Sequence, residues 1–229
     1  MKDLTDRALD TASGLGAGYA DVRVVRRLEE SIAIKTGRVE GVASGESEGF
    51  GVRVLVDGAW GFASSHILTT AEADRIAGEA VRIARASATA LRNPTRLDDR
   101  APARGRYETP LEEDPFAVPL ETKIANLLAA DEAATRVKGI AFTESSYGAQ
   151  REWKTFAATD GSLTEQVITH VGSAVEANAI DGDEHQRRSF PDAGGGWQAA
   201  GYEYIRGLGL EAHAEPLADE AVALLTAPQ

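Results

Sequence analysis

The four histidines of the chain, His66, His170, His185 and His213, are the side chains best suited to bind a metal or to transfer protons at neutral pH. No two of them are three or four residues apart, so the sequence lacks the paired zinc ligands that one helix face can present. The segment 181–186, DGDEHQ, clusters carboxylates but does not follow EF-hand spacing, which requires glycine where Gln186 stands. We therefore interpret it as a solvent-exposed turn.

A possible serine nucleophile is Ser47, because the segment 45–49, GESEG, matches the pattern G-x-S-x-G. That pattern acts as a nucleophile only between a strand and a helix, with a histidine base nearby. Here a second strand pattern follows it, and the flanking Glu46 and Glu48 would disfavour the negative charge of an activated serine. The sequence therefore predicts a polar loop at these residues.

The segment 192–204, DAGGGWQAAGYEY, is the least ordinary part of the chain. Three consecutive glycines weaken any helix or strand and are useful where the main chain approaches another group closely. An aromatic side chain beside them could anchor an interface. The candidate peptide-binding or interface loop is therefore Gly194, Gly195, Gly196 and Trp197, and packing against a neighbouring strand is the alternative interpretation. We identify no catalytic, cofactor-binding or metal-binding residue.

Composition restricts the classes of partner. The chain has no cysteine, which excludes disulfides, thiolate zinc sites and cysteine nucleophiles within these residues. Its formal net charge of −12 is the wrong sign for binding a phosphate backbone, so we expect no nucleic-acid partner. The sequence has neither a signal peptide nor an apolar stretch of membrane-spanning length, so we expect a cytoplasmic protein without a membrane partner.

The elements that would position a site begin with an antiparallel meander. Residues 49–65 alternate in polarity on both sides of Asp57-Gly58, which predicts two strands joined by a type I′ turn, because both central residues of that turn have positive φ. Alternation also occurs within 22–34, and together these patterns predict about four or five antiparallel strands. A helix follows, with Thr69 or Thr70 as its N-cap.

The second half repeats this arrangement loosely. A helix starting at Leu120 is followed by strand-like runs and a last helix, whereas the proline-rich segment between the halves is predicted to be extended and irregular. The fold class is therefore α+β, with two subdomains, each an antiparallel sheet with flanking helices. We predict an N-terminal domain at 1–92, a connector at 93–119 and a second domain at 120–229.

Taken together, three segments resemble the N-terminal half of the TldD/PmbA metallopeptidase family, more the TldD type than the PmbA type. They are residues 19–65, YADVRVVRRLEESIAIKTGRVEGVASGESEGFGVRVLVDGAWGFASS, the helix that follows, and residues 187–205, RRSFPDAGGGWQAAGYEYI. The likeness extends over nearly the whole chain. Its implied activity is that of a peptidase, a hydrolase, and members of the family have also been named modulators of DNA gyrase.

The resemblance implies that zinc is bound elsewhere. The family motif H-E-x-x-x-H and a later metal ligand belong to a C-terminal domain, and none of the four histidines here matches them. We therefore expect no cofactor in this chain, zinc in the complete family protein, and no hydrolysis by these residues alone, because catalytic zinc needs three protein ligands. The expectation is a truncated product or a split gene.

The resemblance implies a non-catalytic N-terminal portion of a zinc metallopeptidase that acts on small or unfolded peptides. The chain would contribute the wall of a peptide chamber and subunit contacts, as a homo- or hetero-oligomer with a TldD/PmbA-type subunit. An exposed strand edge or the loop Gly194–Gly196 could bind a peptide through main-chain hydrogen bonds. The alternative is a stand-alone, non-enzymatic partner that binds and regulates a full-length peptidase subunit.

Overall fold

The computed structural model of the protein describes residues 2–98 and 101–227. Within these residues, five helices and seven strands follow one another. In order they are α1 (Lys2–Gly14), β1 (Tyr19–Lys35), β2 (Arg38–Val56), β3 (Ala59–Ser65), α2 (Thr70–Ala88), β4 (Arg104–Glu108), α3 (Leu120–Thr135), β5 (Ile140–Ala158), β6 (Leu163–Asp181), β7 (Glu184–Phe190), α4 (Tyr202–Leu208) and α5 (Leu210–Leu224). The predicted α+β class is confirmed. No helix in the described part of the chain has the length and hydropathy of a membrane span.

The seven strands form one hydrogen-bonded sheet. Its order is β3-β2-β1-β5-β6-β4, and β7 also pairs with β6. The β2–β3 pair is antiparallel, with Val52 opposite Ala63, and so is the β6–β7 pair. Strand β4 differs, because it pairs in parallel with the first residues of β6.

The chain divides into two compact units, each assembled from three separate segments. Unit 1 comprises Met1–Arg27, Glu46–Glu108 and Glu152–Val167, and unit 2 comprises Leu28–Gly45, Thr109–Arg151 and Ile168–Gln229. The domains predicted from the sequence, at 1–92 and 120–229 with a connector at 93–119, are continuous segments of chain, and these boundaries stay a prediction.

In unit 1, alternate residues of the strands are buried with helices α1 and α2. The core is formed mainly by Leu4, Ala8, Ala12, Val22, Val24, Phe50, Val52, Val54, Val56, Ile76, Ala77, Ala80, Val81 and Ala84. Gly61 of β3 permits the closest approach of helix to strand: a Cβ atom there would lie 2.1 Å from the carbonyl oxygen of Ala80. Glycine is therefore required at this position for α2 to pack on β3.

The predicted local signals of unit 1 are confirmed. Asp57 and Gly58 have φ of 48° and 78°, as the turn between β2 and β3 requires. The side chain of Thr69 accepts a hydrogen bond of 3.2 Å from the main-chain nitrogen of Glu72, which makes Thr69 the N-cap of α2.

In unit 2, α3, α4 and α5 bury an apolar core with the strands. Its largest members include Ile32, Ile34, Leu127, Tyr147, Tyr202, Ile205, Leu210 and Leu217. The core also contains a buried carboxylate, Asp131, which accepts hydrogen bonds from the main-chain nitrogen of Gly37 and from Thr143 Oγ1, the latter at 2.7 Å. This carboxylate ties helix α3 to the turn between β1 and β2.

Several local predictions were wrong. Residues 19–65 form three strands rather than four or five, because β1 and β2 continue for 17 and 19 residues. The segment GESEG is therefore part of β2 and not a loop, and Ser47 is exposed there. The ion pair between Arg26 of β1 and Glu46 of β2 shows how glutamates next to glycines can still belong to a paired strand.

The remaining corrections concern short elements. The predicted irregular connector contains strand β4, because Arg104–Glu108 finds a pairing partner in β6. The segment 181–186 does contain an exposed turn, at Gly182 and Asp183, but it is the tip of the β6–β7 hairpin. Helix α4 was also missed, because its seven residues are too few for a clear apolar stripe.

Candidate functional site

The described residues contain no group of three or more histidine, cysteine, aspartate or glutamate side chains arranged to hold a metal ion. His185 shares a hydrogen bond of 2.8 Å with Asn178 Oδ1, and His213 stacks on Phe190 with 3.8 Å between the ring centroids. These described residues therefore do not fit the zinc that the family resemblance implies, because catalytic zinc needs three protein ligands in one place.

The predicted loop at Gly194–Gly196 follows strand β7 in unit 2 and folds back on its own main chain. Asp192 Oδ1 accepts hydrogen bonds from the nitrogens of Gly194 and Gly196, at 2.6 and 3.2 Å. The carbonyl oxygen of Gly195 accepts from the nitrogen of Ser173, and that of Gly196 accepts from the hydroxyl of Tyr204. Most polar main-chain groups of the loop are thus already paired, which leaves few of them for a ligand.

Trp197 is the exposed aromatic residue of this loop. Its side chain lies on two glycines of the sheet: a Cβ atom on Gly148 would be 2.6 Å from indole Cη2, and one on Gly172 would be 2.8 Å from indole Cδ2. The residue nevertheless remains 52% exposed. The glycines therefore form a flat platform that holds the indole while leaving much of its surface to solvent.

An open groove of ≈ 890 Å³ lies beside Trp197, within the size range of small-ligand sites. Alternate residues of three strands line it with small side chains: Ser31 and Ala33 of β1, Ser146 and Gly148 of β5, and Gly172 and Ala174 of β6. Residues 41–45 of β2, residues 193–195 and Trp197 also line the groove.

A smaller cavity of ≈ 320 Å³ adjoins the groove and shares Ala33, Ser146, Ala174 and Ala193 with it. We call this cavity the acidic pocket, because its charged lining residues are Glu40, Glu144, Glu176 and Asp192. No lysine or arginine of the described chain lines either cavity. Lys35 Nζ donates to Glu144 at 2.8 Å from outside the lining, and this hydrogen bond is the main cause that raises the pKa of Lys35.

On the side of the sheet away from the groove, Lys123 of α3 forms an ion pair with Glu30 of β1. The ammonium of Lys123, 1% exposed, pairs with Glu30 and lies 5.3 Å from the ring centroid of Tyr147. Burial raises the pKa of Tyr147, whose hydroxyl makes no hydrogen bond with the described residues. This ring packs edge-on against Tyr202, with 5.8 Å between the ring centroids, and is part of the core of unit 2.

Unit 1 has a second feature, an arginine–aromatic face on its strands. The carboxylate of Asp21, 1% exposed, pairs with Arg23 at 3.0 Å and with Arg53 at 2.7 Å. The guanidinium of Arg53 lies over Trp60, 4.6 Å from the ring centroid. Phe62 is next to them, 55% exposed, on a platform formed by Gly51. We refer to Asp21, Arg23, Arg53, Trp60 and Phe62 as the arginine–aromatic face.

The residues predicted from the sequence form one wall of the groove, and the other walls were not predicted. The loop Gly194–Gly196 and Trp197 do line or border the groove, whereas residues 41–45 of β2 and the small floor residues were not identified. The available signal was the small residue at alternate positions in Ser146-x-Gly148 and Gly172-x-Ala174. These small residues indicate a groove only when the order of the strands in the sheet is known, and the sequence alone does not give that order.

Comparison with known proteins places these observations in a family. Residues 20–84 match the model of PmbA/TldA metallopeptidase domain 1, and residues 113–227 match that of the PmbA/TldA metallopeptidase central domain. The chain is 30% identical over 209 residues to a metalloprotease of Methanothermobacter thermautotrophicus, a match that covers 91% of this chain and 44% of the relative. A metalloprotease of Methanocaldococcus jannaschii is 26% identical, with 85% and 43% covered. The chain thus spans less than half the length of each relative.

Solved structures share the fold. A protein of Thermotoga maritima described as a modulator of DNA gyrase superposes with a TM-score of 0.73 at 16% identity, covering 97% of this chain and 48% of the other. TldE of Thermococcus kodakarensis superposes with a TM-score of 0.68 at 11% identity, covering 96% and 46%. At these identities the likeness shows the fold alone. The two domain matches together extend over most of the sequence, and the chain therefore belongs to the TldD/PmbA metallopeptidase family.

Proposed function

We propose that this chain is the non-catalytic, peptide-holding portion of a TldD/PmbA-type metallopeptidase of the cytoplasm. It contributes a chamber wall and subunit contacts, while the zinc-binding residues belong to another part of the complete family protein. The observation that carries the proposal is the groove of unit 2, where a strand edge and an exposed tryptophan border a floor of small side chains. This combination suits an extended polypeptide better than a compact ligand.

The strand edge supplies the hydrogen bonds for such a peptide. Strand β3 pairs with β2 only from Phe50 to Val56, so residues 38–45 have no partner on that side among the described residues. Every residue in 38–45 is exposed. An extended peptide can therefore add to this edge through main-chain hydrogen bonds, which are independent of its sequence.

Two glycines of β2 support the same proposal. Gly41 and Gly45 line the groove, and a Cβ atom on either would contact nothing within 4 Å. Space therefore remains beside this wall for the side chains of a bound peptide. The exposed face of Trp197 supplies apolar contact at the other wall.

Peptide binding and hydrolysis can be tested separately on the purified chain. We expect an uncharged acetylated hexapeptide, with glutamine at its third and fifth positions, to bind by calorimetry and to remain intact by mass spectrometry. Addition of zinc or of a chelator should change neither result. Zinc-dependent cleavage that a chelator abolishes would contradict the non-catalytic proposal, and absence of binding would contradict the peptide-holding proposal.

The arginine–aromatic face of unit 1 favours a second candidate function, that of a stand-alone partner of a full-length peptidase subunit. Exposed arginine and aromatic side chains are enriched in the energetically dominant parts of protein interfaces. The buried carboxylate of Asp21 fixes two of these arginines in place, which reduces the entropy lost when a partner binds.

Native mass spectrometry with a full-length family member tests this second candidate. A stable complex that the substitution Phe62→Asp abolishes supports a regulatory partner. A matched substitution at an exposed apolar residue outside the face, Ile83→Asp, should leave the complex unchanged. If the wild-type chain forms no complex, the second candidate is wrong.

A further inference from the structure

The groove of unit 2 and the acidic pocket that adjoins it both carry an excess of negatively charged side chains. Glu29, Glu40, Glu144, Glu176 and Asp192 line these two cavities, and no basic side chain of the described residues does so. The carboxylate of Glu30 is paired with the buried Lys123 on the other side of the sheet and is not counted with them. Lys35 pairs with Glu144, and Arg187 pairs with Glu176 with 3.6 Å between Nη1 and Oε2. Carboxylates therefore outnumber the cations that neutralise them, and a bound peptide meets a negative potential.

Trp197 adds a second contact for a cation. Its indole is held in place by the glycine platform and is half exposed towards the groove. The face of a tryptophan ring attracts guanidinium and ammonium groups more strongly than that of any other side chain. A positively charged side chain beside Trp197 would thus gain from the ring and from the carboxylates at the same time.

The floor of the groove leaves room for long side chains. Glu29 and Gln150, which share a hydrogen bond of 2.8 Å, also line it. The other lining residues on this face of β1, β5 and β6 are glycine, alanine or serine, namely Ser31, Ala33, Ser146, Gly148, Gly172 and Ala174. None of them carries a charge or an aliphatic branch that would exclude an extended arginine or lysine. The groove is therefore wide enough for the arginine and lysine side chains that its carboxylates would attract.

We propose that the groove and the acidic pocket together select extended peptides that carry arginine or lysine side chains. This inference rests on the proposed peptide-holding function and names its substrate class. The main-chain hydrogen bonds to residues 41–45 supply affinity for any extended peptide, whereas the carboxylates and Trp197 supply the preference among peptides.

The test compares three acetylated, amidated hexapeptides that differ only at their third and fifth positions, where they carry arginine, glutamine or glutamate. Calorimetry on the full chain at low salt should give an affinity for the arginine peptide about tenfold above that for the glutamate peptide, with the glutamine peptide between them. At about 0.5 M salt the two affinities should converge, because ions screen exposed charges.

Matched variants test whether the preference for the arginine peptide arises from the carboxylates of the acidic pocket and from Trp197. The double substitution Glu144→Gln and Glu176→Gln should remove most of the preference and leave the affinity for the glutamine peptide unchanged. The control, Glu211→Gln with Glu215→Gln, alters two exposed glutamates of α5 outside both cavities and should leave the preference intact. Trp197→Ala should weaken binding of the arginine peptide more than that of the glutamine peptide, whereas Phe62→Ala in unit 1 should affect neither.

The outcomes separate the two proposals. If all three peptides bind with equal affinity, or if the glutamate peptide binds most tightly, the charge preference is overturned while peptide holding stands. If none of the three binds, the proposed function fails and the preference fails with it. A preference that the α5 control removes as fully as the groove variant would also overturn the inference.

Discussion

Gly172 and Trp197 are in a contact that only glycine permits. A Cβ atom at residue 172 would lie 2.8 Å from indole Cδ2 and 2.8 Å from the carbonyl oxygen of Gly195. The first contact sets the position of the indole at the groove, and the second involves main chain that cannot move aside by a rotamer change. The candidate site of unit 2 thus depends on the absence of a single methyl group.

Gly172→Ala is therefore expected to displace both the indole and the glycine loop. We expect a loss of about 1–3 kcal/mol in the free energy of unfolding from overpacking. We also expect a clear change in the near-ultraviolet circular dichroism of tryptophan. Gly207→Ala in α4 is the control, because a Cβ atom there contacts nothing within 4 Å and alanine favours a helix. Equal effects of the two substitutions would contradict the platform model.

Gly61→Ala tests the packing of α2 on β3 in unit 1. The added methyl would lie 2.1 Å from the carbonyl oxygen of Ala80 and 2.6 Å from the nitrogen of Ala84, so the helix must move as a whole. We expect a loss of about 3 kcal/mol or more in a urea unfolding experiment, at the upper end of the usual range for overpacked sites. Gly14→Ala, at the end of α1 with no neighbour within 4 Å, should change stability little.

Asp131→Ala tests the buried carboxylate of unit 2. The substitution leaves the main-chain nitrogen of Gly37 and the hydroxyl of Thr143 without their acceptor. We expect a loss of about 1–3 kcal/mol in the free energy of unfolding, together with faster hydrogen exchange at Gly37. Asp219→Ala, at an exposed residue of α5, is the matched control. Unchanged exchange at Gly37 would show that the carboxylate does not hold this turn.

The carboxylate of Glu72 in the first turn of α2 gives a pH-dependent prediction. Hydrogen bonds from Arg75, then from Ser65, lower the pKa of Glu72 from its ordinary 4.5 to about 2. Because the folded-state pKa lies below the unfolded one, the stabilisation is present above pH 4.5 and is lost as pH falls towards 2.

Carbon-detected NMR titration of the Glu72 carboxylate measures this effect directly. We expect a midpoint near 2 in the wild type and a shift towards the ordinary value in Arg75→Gln. Arg82→Gln, on the same helix but outside this ion pair, should leave the midpoint unchanged. A wild-type midpoint near 4.5 would contradict the hydrogen-bonded arrangement.

The sequence could predict those features of the fold that depend on a few adjacent residues, such as turns and helix caps. The Asp57-Gly58 turn and the Thr69 N-cap are encoded by a few adjacent residues, so the sequence pattern and the structure agree. The parallel pairing of Arg104–Glu108 with β6 was not predictable in this way, because it joins segments about 60 residues apart and leaves no periodic signal within a five-residue strand.

In the candidate site, too, only the residues that are adjacent in sequence could be predicted. Gly194–Gly196 and Trp197 attracted attention because a glycine run beside an aromatic residue is unusual in one stretch of chain. The other wall and the floor come from β2, β1, β5 and β6, and their small residues line one cavity only after the strand order is known. The carboxylates Glu40, Glu144 and Glu176 likewise come from different strands.

The most direct test of the account maps the uncharged hexapeptide on the isotopically labelled chain by amide chemical shifts. We predict perturbations at residues 41–45 and at Gly194–Trp197, with the peptide recovered uncleaved after prolonged incubation with zinc. Perturbations confined to other surfaces, or recovery of zinc-dependent cleavage products, would contradict the claim that this chain holds peptides in the groove of unit 2 without hydrolysing them.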